Sequence, residues 1–242
     1  MTTIEANSGV RPAMPSRAIT GLILIAAGVL ALAGNLLHPR FGGNDVEVYR
    51  HLANSTRLVF ADALLLPALV LLTIGLVGLA EMLQAASPLA EIGRLLALVG
   101  GTIALSQTAV EMYGMRQQAR VFAGASPSDQ VGAFWSTSSL DRLSSALLAT
   151  WIVLLLGVTP ALLAWVALAA RRTPRWLGLL GCAAGAICAG VGVFDLFRGD
   201  HSAADIPFLA GSLLLTAWVV GSGWAVYARR QGDGNRGSAA GV

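Results

Sequence analysis

Three carboxylates, Asp62, Glu111 and Asp195, stand inside long apolar runs of this sequence. A carboxylate in such a run is expensive to hold in lipid, so by default it marks a site whose partners come from other helices. Asn35, His38 and Gln107 lie in or beside similar runs and can orient or exchange a proton. The chemistry open to this set is proton transfer. An acid holding its proton can protonate an alkene or an epoxide, and a second acid or His38 can orient it or take the proton back. The candidate catalytic residues are therefore Asp62, Glu111, Asp195 and His38. The bland alternative is interfacial solvation, with Asp195 pairing with Arg198 one turn on and Glu111 reaching water near Arg116.

Aromatic residues concentrate around the same positions. Phe60, Tyr113, Trp135, Trp151 and Phe194, with Asn35 and Gln107, are the candidates for lining a binding pocket that is apolar with a few polar groups. Phe and Tyr faces would shelter positive charge as it develops on a substrate. Packing against lipid is the competing reading of the aromatics. His38, His51 and His201 show no HxxH or HExxH spacing, so neither a metal nor a cofactor is expected. Cys182 and Cys188 are six residues apart, which puts them on different helix faces and excludes a CxxC pair. No Walker loop, GxSxG or dinucleotide-binding fingerprint is present.

The elements that must position these residues follow from composition. Of 242 residues, 55% are apolar and only 12% charged, a balance that belongs to a polytopic membrane protein. All 16 basic residues are Arg, and the net charge of +3 is spread over loops, which argues against a nucleic-acid partner. Six apolar runs are long enough to cross a bilayer: 18–37, 58–83, 95–114, 143–170, 176–197 and 206–228. The fold expected is all-α, a single six-helix transmembrane bundle over 18–228, with disordered tails at 1–17 and 229–242. Pro160 marks a kink in the fourth span, and Gly181 and Gly185 form a GxxxG for close helix packing. In the loop between spans three and four, Ser126-Pro127-Ser128-Asp129 reads as the start of a short surface helix.

Antiparallel threading brings Asn35, His38, Asp62, Gln107, Glu111 and Asp195 to one end of the bundle, about 5–8 Å inside the boundary for the carboxylates. Glu81 falls at the other end. Nine Arg residues on the side of the N-terminus face seven on the other, led by the cluster RRTPR between spans four and five. This bias places both termini in the cytoplasm and the carboxylates toward the outside of a bacterial cell membrane.

GNLLHP at the end of span one, ADALLLPAL in span two, EMYGMRQQARVFAGA and PRWLGLLG together resemble a broad group of uncharacterised actinobacterial multispan membrane proteins. That resemblance covers most of the chain and implies a six-helix membrane fold without implying an activity. In size, number of spans and intramembrane acids, the chain is also similar to the small membrane-bound class II terpene cyclases. That likeness rests on architecture and implies an acid that starts a cyclisation. The function expected is acid-initiated cyclisation or isomerisation of a prenyl or other lipid-like substrate taken from the lipid bilayer. The alternatives are a proton-coupled transporter, which would favour an inverted repeat that spans 1–3 and 4–6 do not show, and a non-catalytic binding or assembly subunit.

Overall fold

The computed structural model describes residues 17–39, 44–198 and 205–239. The expected N-terminal tail, His201 and the last three residues lie outside them, as do all side chains beyond Ala228. Every described element is a helix: α1 (Arg17–Leu37), α2 (Asp45–Asn54), α3 (Thr56–Leu83), α4 (Leu89–Ala109), α5 (Arg116–Gly124), α6 (Gln130–Trp151), α7 (Thr159–Ala169), α8 (Arg175–Arg198) and α9 (Asp205–Ala239). Among the described residues, six helices are long and apolar enough to cross a membrane. They make up an all-α six-helix bundle, the architecture of an integral membrane protein. The last apolar stretch is Ile206–Ala228, although the helical backbone of α9 continues to Ala239.

The bundle closes where side chains are small. α1 packs between α3 and α9. At the crossing of α1 and α9, a Cβ added to Gly21 would lie 2.6 Å from the Gly223 carbonyl oxygen, and one added to Gly223 would lie 2.6 Å from that of Gly21. Only glycine lets the two backbones meet so closely. The Gly185 of the GxxxG does the same for α8, its missing Cβ lying 2.5 Å from the Gly157 oxygen and 2.8 Å from the Ala161 Cβ.

The third and fourth spans are longer than their apolar runs. The third continues through α5 to Gly124 and the fourth begins at Gln130, giving helices of 36 and 40 residues. The helix signalled by Ser126–Asp129 is present, but it is not separate: it runs straight into the fourth span as α6. The Ser126 carbonyl accepts from the Asp129 and Gln130 N–H groups, at 2.9 and 3.0 Å, which starts the first turn. Hydropathy falls at 114 because the chain leaves the apolar layer, whereas the helix persists because α5 and α6 find partners outside it.

Those partners come from α2, a short helix in the 38–57 stretch. Asn44 caps it by accepting from the Glu47 N–H, and Asp45 and Glu47 occupy its first turn. Tyr49, Leu52 and Ala53 of α2 bury themselves with Leu58, Met115, Ala119 and Phe122 in a hydrophobic cluster distinct from the main core. Arg120 Nε donates to the Ala53 carbonyl at 3.3 Å, and Thr137 Oγ1 donates to the Gln118 carbonyl at the same distance. A small cap thus stands on the bundle.

Two π-helical turns interrupt the long helices, Val110–Met115 and Ile152–Val158. The second directly precedes Pro160, which has no N–H to donate. There the helix widens, and the Leu154 carbonyl accepts from both the Thr159 N–H and, at 2.7 Å, the Thr159 hydroxyl.

Candidate functional site

A cavity of about 240 Å³ lies between α1, α3, α4 with its π turn, the fourth span and α9. Asn35, His38, Asp62, Gln107, Glu111 and Trp151 line it, six of the residues singled out in the sequence. Local structure fixes each of them. Arg57 donates from Nε to the Leu37 carbonyl at 2.8 Å and from a terminal nitrogen to that of Leu36 at 3.3 Å, tying the last turn of α1 to the start of α3. His38 extends that turn by one residue, its N–H on the Gly34 carbonyl at 2.9 Å. With His38 Nδ1 as donor to the Pro39 carbonyl at 3.2 Å, Nε2 is left facing Glu111 Oε1 at 3.9 Å.

Glu111 sits in the π turn Val110–Met115, and such turns are frequent at functional sites. Its other oxygen accepts from Gln107 Nε2 at 2.7 Å, and the same amide donates to Ser144 Oγ at 3.2 Å. Gln107 thereby links the third span to the fourth and sets the carboxylate in place. Asp62, in the second turn of α3, is only 3% exposed, and Glu111 and Arg116 are charges that act on it.

The cavity is graded along its length. Asn35, His38, Asp62 and Glu111 mark the end nearer the cap, whereas Leu69, Leu72, Leu156, Leu215 and Val219, with the Ser212 and Thr216 hydroxyls among them, line the rest. Asp62 to Leu72 on α3 and Phe208 to Val219 on α9 each cover about 15 Å at a helical rise of about 1.5 Å per residue. Trp151 Nε1 and Ser212 Oγ are buried without a protein hydrogen-bond partner, and both residues line the cavity.

No family model, curated protein or solved structure matches this chain.

Five of the singled-out residues lie elsewhere. Asp195 is buried, but it belongs to α8, and no α8 residue is among the described residues lining the cavity. α8 packs behind α9 and α7, on the far side of the wall. Phe194 shares that helix and that fate. Phe60, Tyr113 and Trp135 are 69%, 76% and 57% exposed and point away from the cavity. The aromatic concentration has a different cause: Tyr49, Phe122 and Phe134 form the core of the cap, with ring centroids 5.9–6.1 Å apart.

Residues not foreseen also line the cavity: Thr108, Phe208, Ser212 and Thr216. The α9 members could have been found, because Phe208, Ser212, Leu215, Thr216 and Val219 recur at the spacing of one helix face with hydroxyls set among apolar groups. Ser144, which holds Gln107, gives no signal in a segment rich in serine. In the cap, the Tyr49 hydroxyl donates to Asp141 Oδ2 at 3.2 Å, and burial together with the Asp141 charge pushes its phenol up to about 12.

Proposed function

We propose that this integral membrane protein binds a lipid-like molecule with a polar end and carries out acid-initiated isomerisation or cyclisation on it. The observation that carries this reading is the grading of the cavity. Proton-exchanging side chains from three separate helical segments stand at one end of a cavity about 15 Å long, and a largely apolar wall with the Ser212 and Thr216 hydroxyls leads away from them. A prenyl or other unsaturated chain would lie along Leu69, Leu72, Leu156 and Val219, with its polar group among Asn35, His38 and Gln107.

Asp62 gives its proton to a carbon–carbon double bond or an epoxide oxygen, and positive charge develops on carbon. The Trp151 ring beside the cavity shelters that charge. Glu111, oriented by Gln107 and backed by His38, removes a proton from a neighbouring carbon, and the double bond re-forms. Glu111 then gives up its proton to water and Asp62 takes one from water, so the cycle needs neither oxidant nor cofactor. The resemblance to small membrane-bound terpene cyclases in size, span number and intramembrane acids supports this reading by analogy alone.

The test uses the solvent as label. Membranes containing the full chain are incubated in deuterated water with farnesol and with a total membrane lipid extract. Acid-initiated chemistry places solvent deuterium on carbon in the product. Asp62→Asn should abolish that incorporation, and Glu111→Gln should lower it by about a hundredfold, the usual scale for losing a positioned acid or base. Incorporation equal in wild type and Asp62→Asn membranes would remove the proposal.

A further inference from the structure

At the opposite end of the bundle, a second cavity of about 80 Å³ opens between α1, α3, α9 and the α7–α8 turn. Its inner wall is apolar, with Leu79, Leu83 and Trp218, and its rim carries Arg17, Arg172 and Thr173. No carboxylate is among the described residues lining it. Neither Arg17 nor Arg172 forms an ion pair with a carboxylate among the described residues lining the cavity.

The backbone holds Arg172 over this cavity. α7 ends with the Arg172 N–H on the Ala167 carbonyl at 2.8 Å and the Arg171 N–H on that of Leu168 at 3.1 Å, the paired bonds of a Schellman motif. The residue between the helix and Arg172 must then be left-handed, and Arg171 has φ of 54°, where glycine is usual. This reversal sends the two adjacent guanidinium groups apart. Arg171 lines a separate surface recess with Arg175, while Arg172 joins Arg17.

Depth selects the ligand. Arg17 opens α1 and Arg172 follows α7, so both guanidinium groups stand at the membrane boundary. Trp218 lies ten residues inside Ala228, the end of the last apolar stretch, or about 15 Å deep. A soluble anion has no use for an apolar groove of that depth. We infer that this cavity is a binding site for an anionic glycerophospholipid, with the phosphate between Arg17 and Arg172 and part of one acyl chain against Leu79, Leu83 and Trp218. Guanidinium forks match phosphate oxygens in geometry as well as charge, and basic recesses between membrane helices recognise acidic head groups in this way.

The full chain is purified in detergent and titrated with phosphatidylglycerol or phosphatidylcholine, and bound lipid is counted by native mass spectrometry. Wild type should favour phosphatidylglycerol, and Arg17→Gln with Arg172→Gln should weaken its retention by about thirtyfold. Arg171→Gln with Arg175→Gln should leave it intact. Ala225→Phe keeps both charges but fills the groove, and should also weaken retention, which gives an independent reading if the double Arg variant does not fold. The proposal falls if both lipids bind equally or if none of these variants alters retention. It falls also if millimolar inorganic phosphate displaces the lipid completely, since the groove would then contribute nothing.

Discussion

Gln107 joins two of the membrane-crossing helices through one amide group, donating to Glu111 and to Ser144. Gln107→Leu has nearly the same bulk and removes both bonds. The expected result is a fall of about tenfold in solvent deuterium incorporation with unchanged insertion and folding, the loss of one hydrogen bond to a charged group. An unaltered rate would mean that Glu111 needs no such support. Tyr49 tests the cap in the same way. Its phenol ionises in the fold at about 12, above the 10.0 of a free tyrosine, so the folded state holds that proton more tightly. The resulting stability is whole below pH 10 and is lost as pH rises through about 12. An alkaline absorbance titration should show one late phenol that Tyr49→Phe removes, with a loss of about 1–2 kcal/mol at neutral pH for the missing bond to Asp141. Asp62 and Glu111 were legible from sequence because a carboxylate inside an apolar run is rare enough to be informative. Asp195 is equivalent by that criterion, yet α8 lies behind α7 and α9, and an apolar run does not reveal which helices enclose the cavity.

At the level of elements, apolar length is a sound guide to where a helix crosses the membrane and a poor one to where the helix ends. Spans one, two and five match their apolar runs within a few residues, whereas the backbone of α9 stays helical to Ala239, past its apolar run. Spans three and four exceed theirs, because α5 and the start of α6 are stabilised by Tyr49, Met115, Ala119 and Phe122, which make contacts distant in sequence. Of the two π turns, the one at Ile152–Val158 answers to Pro160, which has no N–H to donate. The small-residue crossings, by contrast, can be tested one residue at a time. Gly185→Val would drive a side chain into Gly157 and Ala161, whereas nothing lies within 4 Å of a Cβ added at Gly190. Thermal unfolding in detergent should show Gly185→Val destabilised by about 1–3 kcal/mol and Gly190→Ala unchanged or slightly more stable. Equal behaviour of the two would refute the close crossing of α8 with the fourth span.

For the molecule as a whole, length fixes the relation between the bundle, the cap and the bilayer. Helices of 36 and 40 residues extend about 54 and 60 Å, against a hydrocarbon layer of about 30 Å, so tilt cannot hide them. The excess falls at the cap, where α2, α5 and the first turns of α6 gather, on the same side as His38 and Glu111. Exposure in the isolated chain therefore has two meanings. Val131 at 67% and Leu179 at 60% are similarly open, but the first stands in the cap and the second in the fifth span. Single cysteines at these positions, in a chain whose Cys182 and Cys188 are replaced by Ala, separate the two environments. In intact membranes a charged, membrane-impermeant maleimide should modify Val131→Cys within minutes and leave Leu179→Cys unmodified until detergent is added. Labelling from each face of the membrane in turn assigns the cap to one side. Because the Asp62 cavity has its polar end beneath that cap, the same measurement decides from which side water and protons reach it. Equal labelling of both cysteines before detergent would place α8 in water and overturn the six-crossing arrangement.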